Sequence, residues 1–215
     1  MNLNNVFRKV YMWMFIGLLV TFLTGYYVSI NENMVYKIYS TSLYWVLAIV
    51  EILLVIILSA RITKMNITTA RILFILYSFV TGLTFSSIFI VYEMSSIIFV
   101  FLIAAVLFLV FSIIGYATKL DLTKIGTFLI MALIGILICS IINIFIGNGL
   151  FEIIICSISI IVFLGFTAYD VNKIKQLQDY YSDEDSLAII GALDLYLDFI
   201  NIFLDLLRLI GNNRD

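Results

Sequence analysis

The 215 residues are 64% hydrophobic and 12% charged, with a mean hydropathy of +1.17, which excludes a soluble globular domain. A net charge of −2, with basic residues scattered over loop ends rather than gathered in a patch, excludes nucleic acid as an expected partner. Histidine is absent, so a serine nucleophile lacks its usual base, and intramembrane zinc or bis-imidazole haem sites lack their usual ligands.

Seven runs fit the ~20 residues needed to cross ~30 Å of hydrocarbon: Val10–Ile30, Ser42–Ala60, Ile72–Tyr92, Ser96–Thr118, Ile125–Ile146, Ile153–Tyr169 and Leu187–Ile210. The fold class is therefore an all-α integral membrane bundle. Short connections make 1–215 a single transmembrane domain. Arg8 and Lys9 precede the first run like a signal n-region, but the run is long and lacks a small-residue cleavage site, so it is expected to be retained. The last run carries no lysine, which removes retinal chemistry, and no proline interrupts any run as it would in a broken-helix transporter. Cys139 and Cys156 both sit within apolar runs and read as small buried hydrophobes, with no disulfide framework.

Basic residues flank the runs unevenly. Arg8, Lys9, Arg61, Lys64, Arg71, Lys119, Lys124, Lys173 and Lys175 fall at alternate helix ends, which predicts a cytoplasmic N-terminus. Whether the seventh run crosses fully or re-enters is left open by its charges.

Those charges are the chief anomaly. Asp194, Asp198, Asn201, Asp205 and Arg208 lie in the last run, and at ~100° per residue they fall within about 40° either side of Asp194. Such a stripe must face a protein interior or a water-filled path.

The sixth run ends in Gly165-Phe-Thr-Ala-Tyr-Asp170, and a polar turn, Asp179–Asp185, leads into the seventh. With the hairpin tip near Glu184, Asp170 and Asp198 lie at about the same depth on antiparallel helices. The alternative is that Asp170 merely ends a helix and Asp198 pairs locally with Asn201 or Arg208. Two carboxylates in apolar surroundings cannot both ionise cheaply, so a facing pair would share a proton when acidified and attract a hard cation such as Ca²⁺ when deprotonated.

Arg61 ends the second run, where it could reach Asp170 or snorkel to lipid phosphate. Glu51, in mid-run, is either half of a buried ion pair or part of an ion path. Glu32, Glu93 and Glu152 lie at helix ends and read as solvated. The acidic turn fails as a calcium loop, because counting from Asp179 no glycine stands at the sixth place and Ile190 stands at the twelfth; it reads as a solvated turn. Gly165 and Gly191 are expected to permit close helix contact.

Three segments together resemble the transmembrane Bax inhibitor motif family, particularly its bacterial members. They are Arg61-Ile-Thr-Lys-Met65 with Leu76-Tyr-Ser-Phe-Val-Thr-Gly-Leu-Thr-Phe-Ser-Ser-Ile-Phe89, then Gly165 to Asp170, and Ala192-Leu-Asp-Leu-Tyr-Leu-Asp-Phe-Ile-Asn-Ile-Phe203 ending in Leu207-Arg208. The resemblance covers nearly the whole chain. It implies six helices surrounding a central polar-striped seventh and a pH-sensitive calcium leak. By position, Asp170 and Asp198 match the family's paired-aspartate pH sensor and cation site, and Arg61 matches the arginine that latches it. Glu51, Asp194, Asn201, Asp205 and Arg208 would support them.

The expectation is thus a calcium or cation leak channel of the bacterial plasma membrane, not an enzyme. It needs no cofactor beyond Ca²⁺ as permeant ion. Membrane lipid, calcium ions and protons are its partners, with at most weak homo-oligomerisation. The rivals are a proton-coupled secondary transporter, using the same buried acids, and an intramembrane aspartyl protease.

Overall fold

The computed structural model describes residues 2–62, 65–120, 122–178, 181 and 183–214. Lys64 of the basic flank and Asp179 of the acidic turn lie outside the described residues. All seven apolar runs are helical: α1 (Leu3–Ser29), α3 (Leu43–Arg61), α4 (Ile67–Val91), α5 (Met94–Ala117), α6 (Thr123–Ile146), α7 (Gly149–Leu177) and α8 (Glu184–Ile210). The eighth helix, α2 (Glu32–Tyr39), was not expected. At eight residues it is too short to span, and its first turn is capped by Asn31, whose side chain accepts from the Met34 N–H. Among the described residues the only β-type pairing is an isolated bridge between Tyr92 and Asn213.

Several helices outrun the apolar run that marked them, because polar caps start them early. Asn66 caps α4 through a 2.9 Å bond from Thr68 N–H, so that helix begins five residues before Ile72. At the far end of α6, Gly147 adopts φ +66°, the left-handed geometry that closes a helix.

The chain forms two compact units. The first comprises Met1–Glu93, Gln178–Tyr196 and Asn213–Asp215. Its α1 and α4 approach closely at small residues: a Cβ added to Gly82 would lie 2.6 Å from Thr24 Cβ and 2.8 Å from the Thr21 carbonyl oxygen. Tyr196 of α8 is buried here with its hydroxyl 2.6 Å from Thr21 Oγ1 and its ring edge-on to Phe74 and Tyr77.

The second unit comprises Met94–Leu177 and Leu197–Asn212. In it Phe199 of α8 meets Phe101 and Phe108 of α5 edge to face at 5.2 and 5.6 Å. Leu129 of α6 packs onto Gly165 of α7, where a Cβ would come within 2.8 Å of it, so the packing role expected for Gly165 holds.

Although apolar all round except for its stripe, α8 is the most enclosed of the spanning helices. Of its most apolar window 72% is buried, against 6% for α3 and for α6, so the acidic stripe is paid for by protein rather than lipid surroundings.

Candidate functional site

The second unit gathers Asp170, Asp198, Asn201, Asp205 and Arg208. The first unit holds Glu51, Arg61 and Asp194. The expected supporting set is therefore divided between two packing environments, each with its own partners.

Asp170 and Asp198 are 6% and 4% exposed, so both carboxyls of the expected pair are withdrawn from solvent and lipid. The end of α7 that carries Asp170 is anchored to the last turn of α5 and the loop beyond it. Asn172 Nδ2 donates to the carbonyls of Gly115 and Thr118 at 3.4 Å, and Lys175 Nζ donates to the Tyr116 carbonyl at 3.1 Å, a cation at a helix C-terminus. The Phe101, Phe108 and Phe199 cluster holds the adjoining turn of α8, which carries Asp198.

Lys173 Nζ lies 3.6 Å from Asp170 Oδ1, one turn along α7. The i, i+3 spacing was legible as a local pair, yet the sequence reading sought Asp170's cation on another helix. Arg61 is the exposed last residue of α3.

Further along the stripe, Asn201 Nδ2 is occupied by the Leu197 carbonyl at 2.7 Å. Asp205 is buried, with Arg208 Nη1 at 3.6 Å and the Ser159 and Cys156 side chains beside it. Arg208 is half exposed and opens onto a cavity of about 460 Å³ at the ends of α6, α7 and α8, lined also by Glu152, Asn143, Ser140 and Cys156. Glu152 is exposed in the first turn of α7, as expected of a solvated helix end, and it also lines this cavity. Cys156 borders the same cavity, and both cysteines are free thiols.

The acidic turn is more than a solvated connection. Asp183 caps α8, accepting from Asp185 N–H at 3.2 Å, Ser186 N–H at 3.1 Å and Ser186 Oγ at 2.7 Å. These bonds, the Ser186 hydroxyl foremost, hold the Asp183 carboxyl below the usual carboxylate range. Asp185 is clasped by Lys9 Nζ and Arg71 Nη2, each at 2.6 Å, and Glu184 accepts from Asn5 Nδ2 and the Asn2 N–H.

Glu51 lacks the ion pair considered for it among the described residues. Its carboxyl instead meets two hydroxyls of α4, Thr81 Oγ1 at 2.9 Å and Thr84 Oγ1 at 3.1 Å. The Thr81-Gly-Leu-Thr84 spacing puts both threonines on one helix face, a signal available in the sequence but uninterpretable without knowing which helix faces it.

Seven membrane-length helices ending in a buried, acid-bearing last helix define an all-α integral membrane protein. The chain belongs to the Bax inhibitor-1 family: the family model described as inhibitor of apoptosis-promoting Bax1 matches residues 3–215. It is 41% identical over 219 residues to the inner membrane protein YbhL of Escherichia coli K12, covering 99% of this chain and 94% of the relative. It is 41% identical over 217 residues to an uncharacterized protein of Borreliella burgdorferi, again covering 99% and 94%. An uncharacterized membrane protein of Streptococcus pyogenes serotype M1 is 35% identical over 217 residues, with the same coverage.

Proposed function

We propose that the protein is a pH-sensitive cation leak, with Ca²⁺ as the principal permeant ion, in a bacterial plasma membrane with the N-terminus cytoplasmic. It acts without catalysis or a bound cofactor. The observation that supports this most is the burial of Asp170 and Asp198 within one helical unit. Two enclosed carboxyls exchange a proton for a hard cation as pH changes, because desolvation and mutual repulsion oppose double ionisation.

A leak must release what it binds. Among the described residues no group of three or more His, Cys, Asp or Glu is assembled, and a two-carboxylate site binds an ion loosely enough to pass it on. Asn201, Asp205 and Arg208 continue the polar stripe of α8 from Asp198 toward the open cavity. Arg61 takes the latch role that the family resemblance gives it, and Asp194 adds acidity to the same helix.

Ca²⁺ flux into proteoliposomes, measured across pH for wild type and Asp198→Asn, tests the proposal. Flux that depends on pH in wild type and loses that dependence in the variant is expected. Flux indifferent to both pH and the substitution rejects the leak, and uptake only against an opposing proton movement transfers the reading to a proton-coupled carrier.

A further inference from the structure

Glu51 stands midway along α3 and belongs to the unit that does not contain Asp170 and Asp198. The groups facing it are Thr81, Thr84 and Tyr77 of α4 and Tyr196 of α8, all uncharged or phenolic. No Lys or Arg pairs with it among the described residues.

The contacts of Thr84 suit a protonated carboxyl at Glu51. Thr84 Oγ1 lies 2.9 Å from the Thr81 carbonyl oxygen and 3.1 Å from Glu51 Oε2, and both neighbours are oxygens. A hydroxyl carries one hydrogen. Given to the Thr81 carbonyl, it leaves the Glu51 contact satisfied only if Oε2 itself carries a proton and donates it to Thr84. The other carboxyl oxygen, Oε1, then accepts from Thr81 Oγ1 at 2.9 Å as a carbonyl should. An ionised Glu51 would instead accept from both threonine hydroxyls with no cation beside it among the described residues, and in a membrane interior an uncompensated carboxylate is costly.

We infer that Glu51 is a proton-binding site, held as a neutral carboxylic acid by the Thr81 and Thr84 hydroxyls and separate from the aspartate pair. It is not a ligand of the cation path. The protein then carries two independent proton sites, one in each compact unit, and Glu51 stays neutral under conditions in which the aspartate pair titrates.

Infrared absorption of the full chain in lipid nanodiscs at about pH 7 tests this, since a protonated carboxyl and a carboxylate absorb at separate frequencies. In protein labelled with [¹³C]glutamate, a band from a protonated side-chain carboxyl should shift relative to unlabelled protein. The other four of the five glutamates stand at helix ends. The shifted band should persist in the Asp170→Asn/Asp198→Asn variant, disappear in Glu51→Gln, and move to higher frequency in Thr84→Val, where the carboxyl loses its acceptor. Absence of a protonated glutamate band in labelled wild type overturns the inference without recourse to any variant. A band that survives Glu51→Gln overturns it as well. Its loss in the double aspartate variant alone would assign the proton to the pair.

Discussion

The hydroxyls of Thr21 on α1 and Tyr196 on α8 lie 2.6 Å apart, both buried. Thr21 has its own acceptors in the Gly17 and Ser78 carbonyls at 3.0 and 2.9 Å, so Tyr196 is the donor of the pair. The two truncations should therefore differ. Tyr196→Phe keeps the edge-on ring contacts and strands no donor, costing about 1 kcal/mol, whereas Thr21→Val removes the shortest partner of a buried hydroxyl and should cost about 1–3 kcal/mol. Thermal unfolding midpoints in detergent give the order. A Thr21→Val protein as stable as wild type would show that the bond contributes nothing.

Asp183 gives a second expectation, because it caps α8 through three bonds. Asp183→Ala should cost about 1 kcal/mol, and Asp183→Asn, which can also cap, less. Its folded carboxyl lies below the usual range, so this contribution is complete above the unfolded value of about 4 and fades as pH falls through the folded one. Unfolding midpoints of wild type and Asp183→Ala should then converge on acidification and stay apart near neutrality.

What was legible in the chain follows from which signals are local. Span-length apolar runs and the angular spacing of Asp194, Asp198, Asn201, Asp205 and Arg208 depend only on helix periodicity, and the helices and the enclosure of α8 appear as those patterns require. The short α2 escaped because eight mixed residues carry neither a span's length nor a long apolar period. The hydroxyl partners of Glu51, the clasp of Asp185 by Lys9 and Arg71, and the meeting of Glu152 with Arg208 at one cavity are contacts across long sequence separations. Charge pattern marked Glu51 and Arg208 as unusual without naming their neighbours, while Glu152 and Asp185 read as solvated.

Orientation rests on the uneven spread of lysine and arginine. With the basic flanks inside, the N-terminus and the 173–185 turn should share the cytoplasmic face. In a Cys139→Ser/Cys156→Ser background, a cysteine replacing Tyr181 should react with an impermeant maleimide only after the cells are opened. Labelling of intact cells would reverse the topology.

The aspartate pair should control the pH response as a unit. If the pair is the proposed sensor, Asp170→Asn and Asp198→Asn should each weaken Ca²⁺ flux and flatten its dependence between roughly pH 6 and 8. Asp183→Asn, at the surface turn, is the matched control and should leave the profile in place. Equal effects from all three would mean that overall acidity, rather than the pair, sets the response.

Two cations are candidates for the latch proposed above. Lys173 is the one beside Asp170, at 3.6 Å and one turn along the same helix, while Arg61 is the one that the family resemblance designates. Protonating a carboxylate removes most of its attraction for a guanidinium or ammonium, so whichever cation restrains the closed state, acid favours opening. Protonation carried further takes away the cation ligands, and flux should therefore rise and then fall as pH drops. The two residues separate at about pH 8, where the proposed latch would be intact. An i, i+3 pair with a partly exposed lysine contributes under about 1 kcal/mol, so Lys173→Gln should change flux by less than about fivefold. Arg61→Ala, removing a fork able to bind a carboxylate through two hydrogen bonds, should raise it by about tenfold or more. Flux at the wild-type level in Arg61→Ala, with a rise in Lys173→Gln, would move the latch onto α7 and leave Arg61 as an interfacial anchor.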